Sequence, residues 1–423
     1  MMYAKKSFIL IILCALMSVS CDKDVYDADE YKKLVEREQP VDNIDASHSW
    51  NLITEYNIHV ETDNVVPEAK RLQILSGDPT AGHAATILGD YLLDSTSEMD
   101  IAFVAPSTLK KFYAALVDNE GNYTITPFTS TDLNVNFTQP LATEKKVAST
   151  LVGLQSFAYC FEEEIPQPGD YDYNDVVLNI SQERTGSDQI TFNVTLAAVG
   201  SLSQIAAAIR IVDYKAKDIK SITTTDGKTF DDGYKKSTLP FIENNDLLFS
   251  GRQQEAVINL FEDAHWATGA TSYASEGYLI RYKYNVSTAT SSTFDMISPR
   301  TISFVVTFNS SERLNHFTLN QLDPFIIVEY NGLLLENHAL YKYRYENIVH
   351  EYTQTTNANI LPWALVIPSN TFRYPLEGNT IGYSIQGRLF GAYMTANHSF
   401  GEWASHKTDA IDWYNYPNEN MVY

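Results

Sequence analysis

Short runs of alternating polar and apolar residues, separated by turn residues, recur along most of the chain. Such alternation places one face of a segment on a core and the other in solvent, which is typical of β-strands. Turn residues such as Gly77-Asp78-Pro79 and Asn119-Glu120-Gly121 separate the first runs. We therefore predict an N-terminal β-sandwich over residues 45–140, with one short helix inserted at 80–93. Its strands are expected at 55–62, 71–75, 99–104, 111–117 and 122–126.

Longer runs follow a linker at about 140–149, and they predict a second, larger β-rich domain over 150–423 with a sandwich-like or jelly-roll-like core. Helical stretches at 387–395 and 399–405 are expected near its end. The predicted fold class is thus mainly β with a few helices. The strands of this second domain are expected at 175–181, 189–199, 204–212, 278–286, 301–309 and 324–329.

The charge of the chain narrows the functional classes. Asp and Glu number 53 and Lys and Arg number 30, which gives a net charge of −23. A protein that binds nucleic acid needs a basic face for the phosphates, so this composition argues against nucleic-acid binding. A strongly negative field instead favours cations as ligands.

Residues 1–20 have the composition of a bacterial lipoprotein signal peptide. Lys5 and Lys6 precede an unbroken apolar run at 8–17, which is too short to span a bilayer. Small residues then lead to Cys21, where such a signal is cleaved and the cysteine is lipidated. An ordinary signal peptide is the alternative interpretation of the same pattern.

Residues 21–44 form a charged segment without glycine, which we interpret as a tether. Asp22-Lys23-Asp24, directly after the cysteine, resembles the surface-export signal of Bacteroides-type lipoproteins. The predicted localisation is therefore the outer membrane, with the protein lipid-anchored through Cys21 and exposed at the cell surface. The membrane is thus a predicted partner of the N-terminus.

The sharpest motif of the chain is GDYDYND, at residues 169–175, directly before an apolar strand. Oxygen-bearing side chains recur there at every second position, so that they can turn towards one point. Hard oxygen donors without His or Cys select Ca²⁺ over transition metals. A carboxylate from the preceding strand can return to the same point. The predicted metal ligands are Asp170, Asp172, Asn174, Asp175 and Glu162.

The same motif has a second interpretation, in which the loop forms an Asx-turn and its side chains cap its own backbone. Four acids and amides in six positions repel one another unless a cation is present, and this favours the metal. The loop is not an EF-hand, because Tyr173 and Asn174 occupy the stretch where that loop needs glycine.

The segment FEEEIPQPGDYDYNDVVLNI, at residues 161–180, resembles the hallmark of the LruC-domain lipoproteins of Bacteroides-type bacteria. In that family a Phe-Glu-Asp precedes Asp-x-Asp-Tyr-Asn-Asp, and here Glu163 replaces the aspartate. A Pro-Gly-x-x-Pro-Thr stretch that is usual near 338–350 is missing. The resemblance implies a β-rich surface lipoprotein with a Ca²⁺ loop and no established activity. Further matching motifs lie at 45–50, where the N-terminal sandwich opens, and at 197–200, 206–210, 322–326, 361–364, 374–377, 400–403 and 412–414.

No catalytic motif stands out, since the sequence has no Gly-x-Ser-x-Gly elbow, phosphate loop or dinucleotide fingerprint. We therefore expect a non-catalytic binding or adhesion module, with a protein or a glycan as its partner. The alternative is a glycan-processing enzyme or an accessory factor of polysaccharide uptake. Four aromatic residues near the C-terminus are either a sugar-stacking platform or part of the core, and core is the commoner role. They are Trp363, Trp403, Trp413 and Tyr414.

Overall fold

The computed structural model describes the greater part of the chain after residue 40. The described residues are 41, 43–62, 68–93, 97–137, 146–147, 149–165, 169–227, 255–268, 283–284, 294–295, 298–330, 332–340, 361–385 and 388–423. They belong to one compact unit, Gln39–Tyr423. The predicted signal peptide, the predicted lipidation site Cys21 and nearly all of the predicted tether lie outside the described residues.

Nine strands from the first part of the chain form two sheets. They are β1 (Ile53–Glu61), β2 (Ala69–Leu75), β3 (Ala85–Leu92), β4 (Glu98–Pro106), β5 (Lys111–Asp118), β6 (Asn122–Thr129), β7 (Asn134–Asn136), β8 (Lys146–Val147) and β9 (Leu151–Leu154). Sheet I has the order β4-β1-β7, and sheet II has the order β8-β6-β5-β2-β3-β9. Apolar side chains from both sheets, among them Ile58, Phe103 and Phe112, share one core.

Sixteen further strands follow. They are β10 (Ser156–Phe161), β11 (Val176–Gly186), β12 (Gln189–Ala198), β13 (Ala206–Lys215), β14 (Ile219–Thr224), β15 (Glu255–Phe261), β16 (Lys283–Tyr284), β17 (Phe294–Asp295), β18 (Arg300–Phe308), β19 (Leu322–Tyr330), β20 (Leu333–His338), β21 (Ala364–Ile367), β22 (Tyr383–Ile385), β23 (Arg388–Phe390), β24 (Met394–Thr395) and β25 (His398–Ser399). Sheet III has the order β14-β18-β12-β11-β10-β21, and sheet IV has the order β15-β13-β19-β20. The remaining six strands pair two by two.

The helices of the described residues are short. Their α-helices are α1 (Ala264–Ala267) and α2 (Phe400–Ser405), and single 3₁₀ turns lie at Ala216–Asp218, Leu314–His316, Leu319–Gln321 and Trp413–Asn415. Helix α2 begins with a capping box, in which Ser399 accepts a hydrogen bond from the backbone of Glu402 while the Glu402 side chain accepts one from the backbone of Ser399. Among the described residues, no helix is long and apolar enough to cross a membrane.

The predicted fold class, mainly β, is confirmed. The two-residue alternation is visible in β1, whose buried and less buried positions largely alternate along the strand. The finer assignment to a sandwich and a jelly-roll, and the division into 45–140 and 150–423, stay predictions. Strand β9, which follows the predicted linker, pairs with β3 and so belongs to sheet II.

Two predicted helices are wrong. The segment 80–93 contains strand β3, which pairs with β2 on one side and with β9 on the other. The segment 387–395 contains strand β23 and, after a turn, β24. In both cases pairing with a neighbouring strand outweighs the weak helix propensity of the residues. The helix predicted at 399–405 is confirmed as α2, whereas the strand predicted at 278–286 lies mostly outside the described residues.

The motif at 45–50 packs against the C-terminal part of the chain. The His48 ring stacks on Trp50, with ring centroids 4.0 Å apart, and Trp403 lies edge-on to both. His48 Nε2 is 2.9 Å from the carbonyl oxygen of Trp403. These residues belong to an aromatic core that also holds Tyr171, Tyr173 and Trp413. This aromatic core lies beside β10 and β11, where the acidic motif is found.

Candidate metal centre

The acidic motif lies in the connection between β10 and β11. The two strands are antiparallel, and Phe161 pairs with Val176. Glu162 and Asp175 are therefore the first and last residues of the connection and lie next to each other at its base. The backbone N–H of Glu163 donates a hydrogen bond of 2.7 Å to Asp175 Oδ2, which closes this base.

Two tyrosines in the left-handed region of backbone space shape the loop. Tyr171 has φ 58° and Tyr173 has φ 54°, a conformation that costs non-glycine residues on the order of 1–3 kcal/mol. Both side chains are buried in the aromatic core. The Tyr173 hydroxyl donates to the carbonyl oxygen of Pro362 at 2.7 Å, and the backbone N–H of Ile381 donates to the Tyr171 carbonyl at 2.7 Å. These contacts hold the strained conformation in place.

Glu162 is fully buried at the centre of the loop. Its Oε1 accepts a hydrogen bond of 2.6 Å from the backbone N–H of Tyr173, and its Oε2 accepts one of 3.3 Å from Tyr171. Gly169 lies so close that a Cβ placed there would be 1.9 Å from Glu162 Oε2. An alanine at 169 would therefore force the Glu162 carboxylate, which is buried and holds two backbone hydrogen bonds, to move.

Asp172 is buried as well, and it accepts from donors in its own loop and in one distant segment. Its Oδ1 accepts from the backbone N–H of Asn174 at 3.1 Å, and its Oδ2 accepts from Asn174 Nδ2 at 2.7 Å. The backbone N–H of Gly378 donates to the same Oδ2 at 3.1 Å. The loop is thus joined to the segment around residue 378, which is 206 positions further along the chain.

The structure brings three of the five predicted ligands within coordination distance of one another. One oxygen each from Glu162, Asp170 and Asp172 can be chosen so that all three lie within 4.8 Å. Asp170 is exposed while the other two are buried, so the cluster opens to solvent on the side of Asp170. Carboxylate oxygens at this spacing match the donor set of a hard divalent cation.

The other two predicted ligands lie beside the cluster. Asp175 is close enough for its charge to raise the pKa of Glu162, while one of its oxygens accepts from Glu163. Asn174 is fully buried and donates through Nδ2 to Asp172 and to the carbonyl oxygen of Pro375. Its Oδ1 is buried and has no hydrogen-bond partner among the described residues. Their part in metal binding stays a prediction.

Burial and mutual repulsion both act on the buried acids. Loss of water raises the pKa of Glu162 well above its ordinary value, and the charges of Asp175, Asp170 and Asp172 raise it further. The pKa of Asp172 is also raised well above its ordinary value, by burial first and then by Asp170, Asp175 and Glu377. A bound cation would reverse this effect, because it stabilises the ionised forms.

Sequence reasoning missed the residues that complete the surroundings of the cluster. Gly378 donates to Asp172, Glu377 adds a charge beside it, and Pro375 accepts from Asn174. A Cβ at Gly200 would be 1.7 Å from Asn174 Oδ1, so an alanine there would also force a buried side chain to move. The motif at 374–377 was visible in the sequence as a family signature, but nothing in it indicates proximity to residue 172.

The four C-terminal aromatic residues are core residues. They are at most 6% exposed, so they do not form a platform on which a sugar could stack. His265, beside Asp263 in the sequence, is also fully buried, and its Nε2 is 2.9 Å from the carbonyl oxygen of Ser201. Asp263 caps helix α1. Both residues have structural roles. The four aromatic residues are Trp363, Trp403, Trp413 and Tyr414.

A family model for a domain of unknown function, DUF4842, matches residues 188–414, which is more than half of the chain. The chain belongs to the DUF4842 family. The matched residues begin shortly after the acidic loop and include the segment around Gly378 that contacts it. The more specific resemblance to LruC-domain lipoproteins stays a prediction.

Comparison with curated proteins returns no significant match. Among solved structures, the DUF4842 chain is similar to the crystal structure of a "Putative lipoprotein from Bacteroides ovatus", with 13% sequence identity and a TM-score of 0.47. The similarity covers 84% of this chain and 99% of that one. A similarity this distant says nothing about function, and the predicted anchor at Cys21 rests on the sequence.

Replacing Gly169 by Ala should destabilise the protein, because the new Cβ would collide with Glu162 Oε2. Overpacking of this kind costs about 1–3 kcal/mol. Urea unfolding of residues 22–423 measures the loss. Gly401→Ala is the matched control, since its new Cβ would lie 3.7 Å from Val41 Cγ1, which is an ordinary van der Waals distance. Equal stability of Gly169→Ala and the wild type would contradict the described approach of Glu162.

Without a divalent cation, the stability of the protein should contain an acid-dependent part. Glu162 and Asp172 have raised pKa values in the folded state, so the folded state holds protons that the unfolded chain releases. This contribution is present in acid and is lost as the pH rises through the raised pKa values. The melting temperature, measured in chelator between pH 5 and pH 8, should therefore fall less steeply with rising pH in Glu162→Gln than in the wild type. Equal slopes for both proteins would count against the raised pKa of Glu162.

Proposed function

We propose that the acidic loop binds one Ca²⁺ ion and that the protein is a lipid-anchored, non-catalytic binding module of the cell surface. The observation that carries the metal proposal is the group formed by Glu162, Asp170 and Asp172, two of them buried, with oxygens within 4.8 Å. The charged groups that raise the pKa values of both buried acids are neighbouring carboxylates. A divalent cation supplies the missing positive charge.

Calcium suits the site better than other biological cations. The donors are oxygens only, which disfavours zinc and copper. Mg²⁺ demands near-ideal octahedral geometry at short distances and loses its water reluctantly, which disfavours it. Extracellular modules manage with a Kd on the order of 10⁻⁴ to 10⁻³ M, because Ca²⁺ is plentiful outside cells.

The proposed role of the ion is structural. Glu162 directly follows β10, Asp172 lies in the loop, and Gly378, which donates to Asp172, lies in the C-terminal part. An ion held by Glu162 and Asp172 would therefore fix three segments relative to one another. Such fixation pre-organises nearby surfaces for binding, which fits a module that recognises a partner without acting on it.

The surface location and the finer fold belong to the same proposal. We assign Cys21 as the lipid-bearing residue, the outer membrane as its location, and a sandwich topology to sheets I and II, whose side chains share one core. A glycan-processing activity is the weaker candidate. The aromatic residues that suggested a sugar platform are buried, which removes one of its supports.

Millimolar Ca²⁺ should raise the melting temperature of residues 22–423. A ligand that binds only the folded state stabilises it by about 2.7 kcal/mol at a hundredfold excess over Kd, which corresponds to several degrees. Asp170→Ala should abolish most of this gain with little effect in chelator, because Asp170 is exposed. Differential scanning fluorimetry with Ca²⁺, Mg²⁺ and EDTA makes the comparison.

Asp409→Ala is the matched control for the calcium experiment, because Asp409 is also exposed and lies outside the cluster. Its response to Ca²⁺ should equal that of the wild type. Identical melting curves of the wild type in EDTA and in millimolar Ca²⁺ would leave the self-capped loop as the correct interpretation.

Cys21→Ala should release the protein from membranes. A lipid anchor is needed because the charged segment after residue 21 has no apolar stretch of its own to insert. Fractionation of cells that produce the variant, with immunodetection of the chain, measures the effect. Retention of Cys21→Ala in the membrane fraction would refute lipidation at this residue.

A further inference from the structure

A groove of about 460 Å³ lies away from the acidic cluster. This volume is within the range of small-molecule sites, about 300–1,000 Å³. The groove is formed by the segment 49–51, the start of β1, the end of β13, the 3₁₀ turn Leu319–Gln321 and the residues after β20. Apolar side chains, including Trp50 and Ile53, contribute part of its wall.

Amide side chains in this groove have fixed orientations. Asn51 Oδ1 accepts a hydrogen bond of 2.9 Å from the backbone N–H of Ile53, and Gln321 Oε1 accepts from the backbone N–H and the hydroxyl of Thr318 at 2.6 and 2.9 Å. Asn51 Nδ2 and Gln321 Nε2 make no hydrogen bond to any described residue. Two amide nitrogens are therefore left as donors for a ligand.

Acceptors lie in the same groove. Glu55 Oε2 accepts a hydrogen bond of 3.0 Å from Asn320 Nδ2. The other carboxylate oxygen of Glu55 and the Oδ1 atom of Asn320 remain as acceptors. The Asp213 carboxylate is a further acceptor, and Asp213 is exposed. No Lys, Arg or His is among the described residues that line the groove.

The backbone of the groove is strained at two non-glycine residues. Trp50 has φ 53° and Asp213 has φ 67°. Trp50 is held by His48, whose Nδ1 accepts from the Trp50 backbone N–H at 2.9 Å, and Arg313 donates to the Asp213 carbonyl at 3.0 Å. Strain that the surroundings enforce is common where a binding surface is pre-organised, and it agrees with the fixed amides.

We propose that this groove binds a neutral saccharide. The inference rests on the binding module proposed above, for which it names a site and a ligand class, but it does not depend on the calcium loop. Sugar hydroxyls donate and accept at once, which matches the mixture of amide donors and carboxylate acceptors in the groove.

Other ligand classes match the groove less well. An anion would meet two carboxylates and no cationic side chain. A cationic amine has donors only, so it can pair with the carboxylates but gains nothing from the Asn51 and Gln321 amide nitrogens. A neutral polyol is the class that satisfies both the donors and the acceptors.

Affinity electrophoresis tests the proposal on residues 22–423, which contain the whole compact unit Gln39–Tyr423. The gels carry neutral polysaccharides (xylan, mannan, β-glucan and amylopectin) or an anionic one (polygalacturonate). We expect retardation by at least one neutral polysaccharide and none by polygalacturonate. Runs in Ca²⁺ and in EDTA separate this result from the metal proposal, because the groove residues are not part of the acidic cluster.

Asn51→Asp is the decisive variant. It keeps the oxygen that accepts from Ile53 and replaces only the free amide donor, so the fold should be preserved. Loss of this bond should weaken binding about tenfold, since such a bond contributes about 1.4 kcal/mol. Asn57→Asp, an equal charge change at an exposed residue of β1 outside the groove, should bind like the wild type. Absence of retardation by every neutral polysaccharide, equal binding by Asn51→Asp, or retardation by polygalacturonate alone would each overturn the proposal.

Discussion

The insertion of Tyr171 and Tyr173 into the aromatic core is the interaction on which the acidic loop depends. The left-handed backbone costs free energy at both residues, and the burial of their aromatic rings offsets this cost. Because the tyrosines alternate with acids, anchoring the rings in the core also fixes where Asp172 and its neighbours lie. The carboxylate cluster is thus a consequence of hydrophobic packing on the opposite side of the same short segment.

Burial of several acids within one cluster needs donors that do not come from the loop itself. Glu162 accepts hydrogen bonds from backbone N–H groups of the loop. Asp172 also accepts one from the backbone N–H of Gly378, far along the chain. Close approach at Gly169 and Gly200 makes room for the side chains. These donors offset part of the desolvation of each acid but leave their mutual repulsion, which is why both pKa values are raised.

The sequence is sufficient to predict the mainly β fold and the proximity of the acids, but several features depend on contacts that no local pattern reveals. Oxygen side chains at every second position predict that Asp170 and Asp172 lie together, and the antiparallel pairing of β10 with β11 adds Glu162. Tyrosine is not a residue that normally signals a left-handed backbone, so the geometry that produces the alternation was not predictable. Segment 80–93 became a strand because β2 and β9 flank it, which depends on tertiary pairing.

The packing of the 45–50 motif on helix α2 has a consequence for biosynthesis. His48 and Trp403 are 355 residues apart in sequence, yet they are neighbours in the same aromatic core that receives Tyr171 and Tyr173. This core cannot close until residues 400–414 have been synthesised. Contacts of such long range slow folding and keep apolar surface exposed meanwhile. For the export proposed above this delay is useful, because translocation requires a polypeptide that has not yet folded.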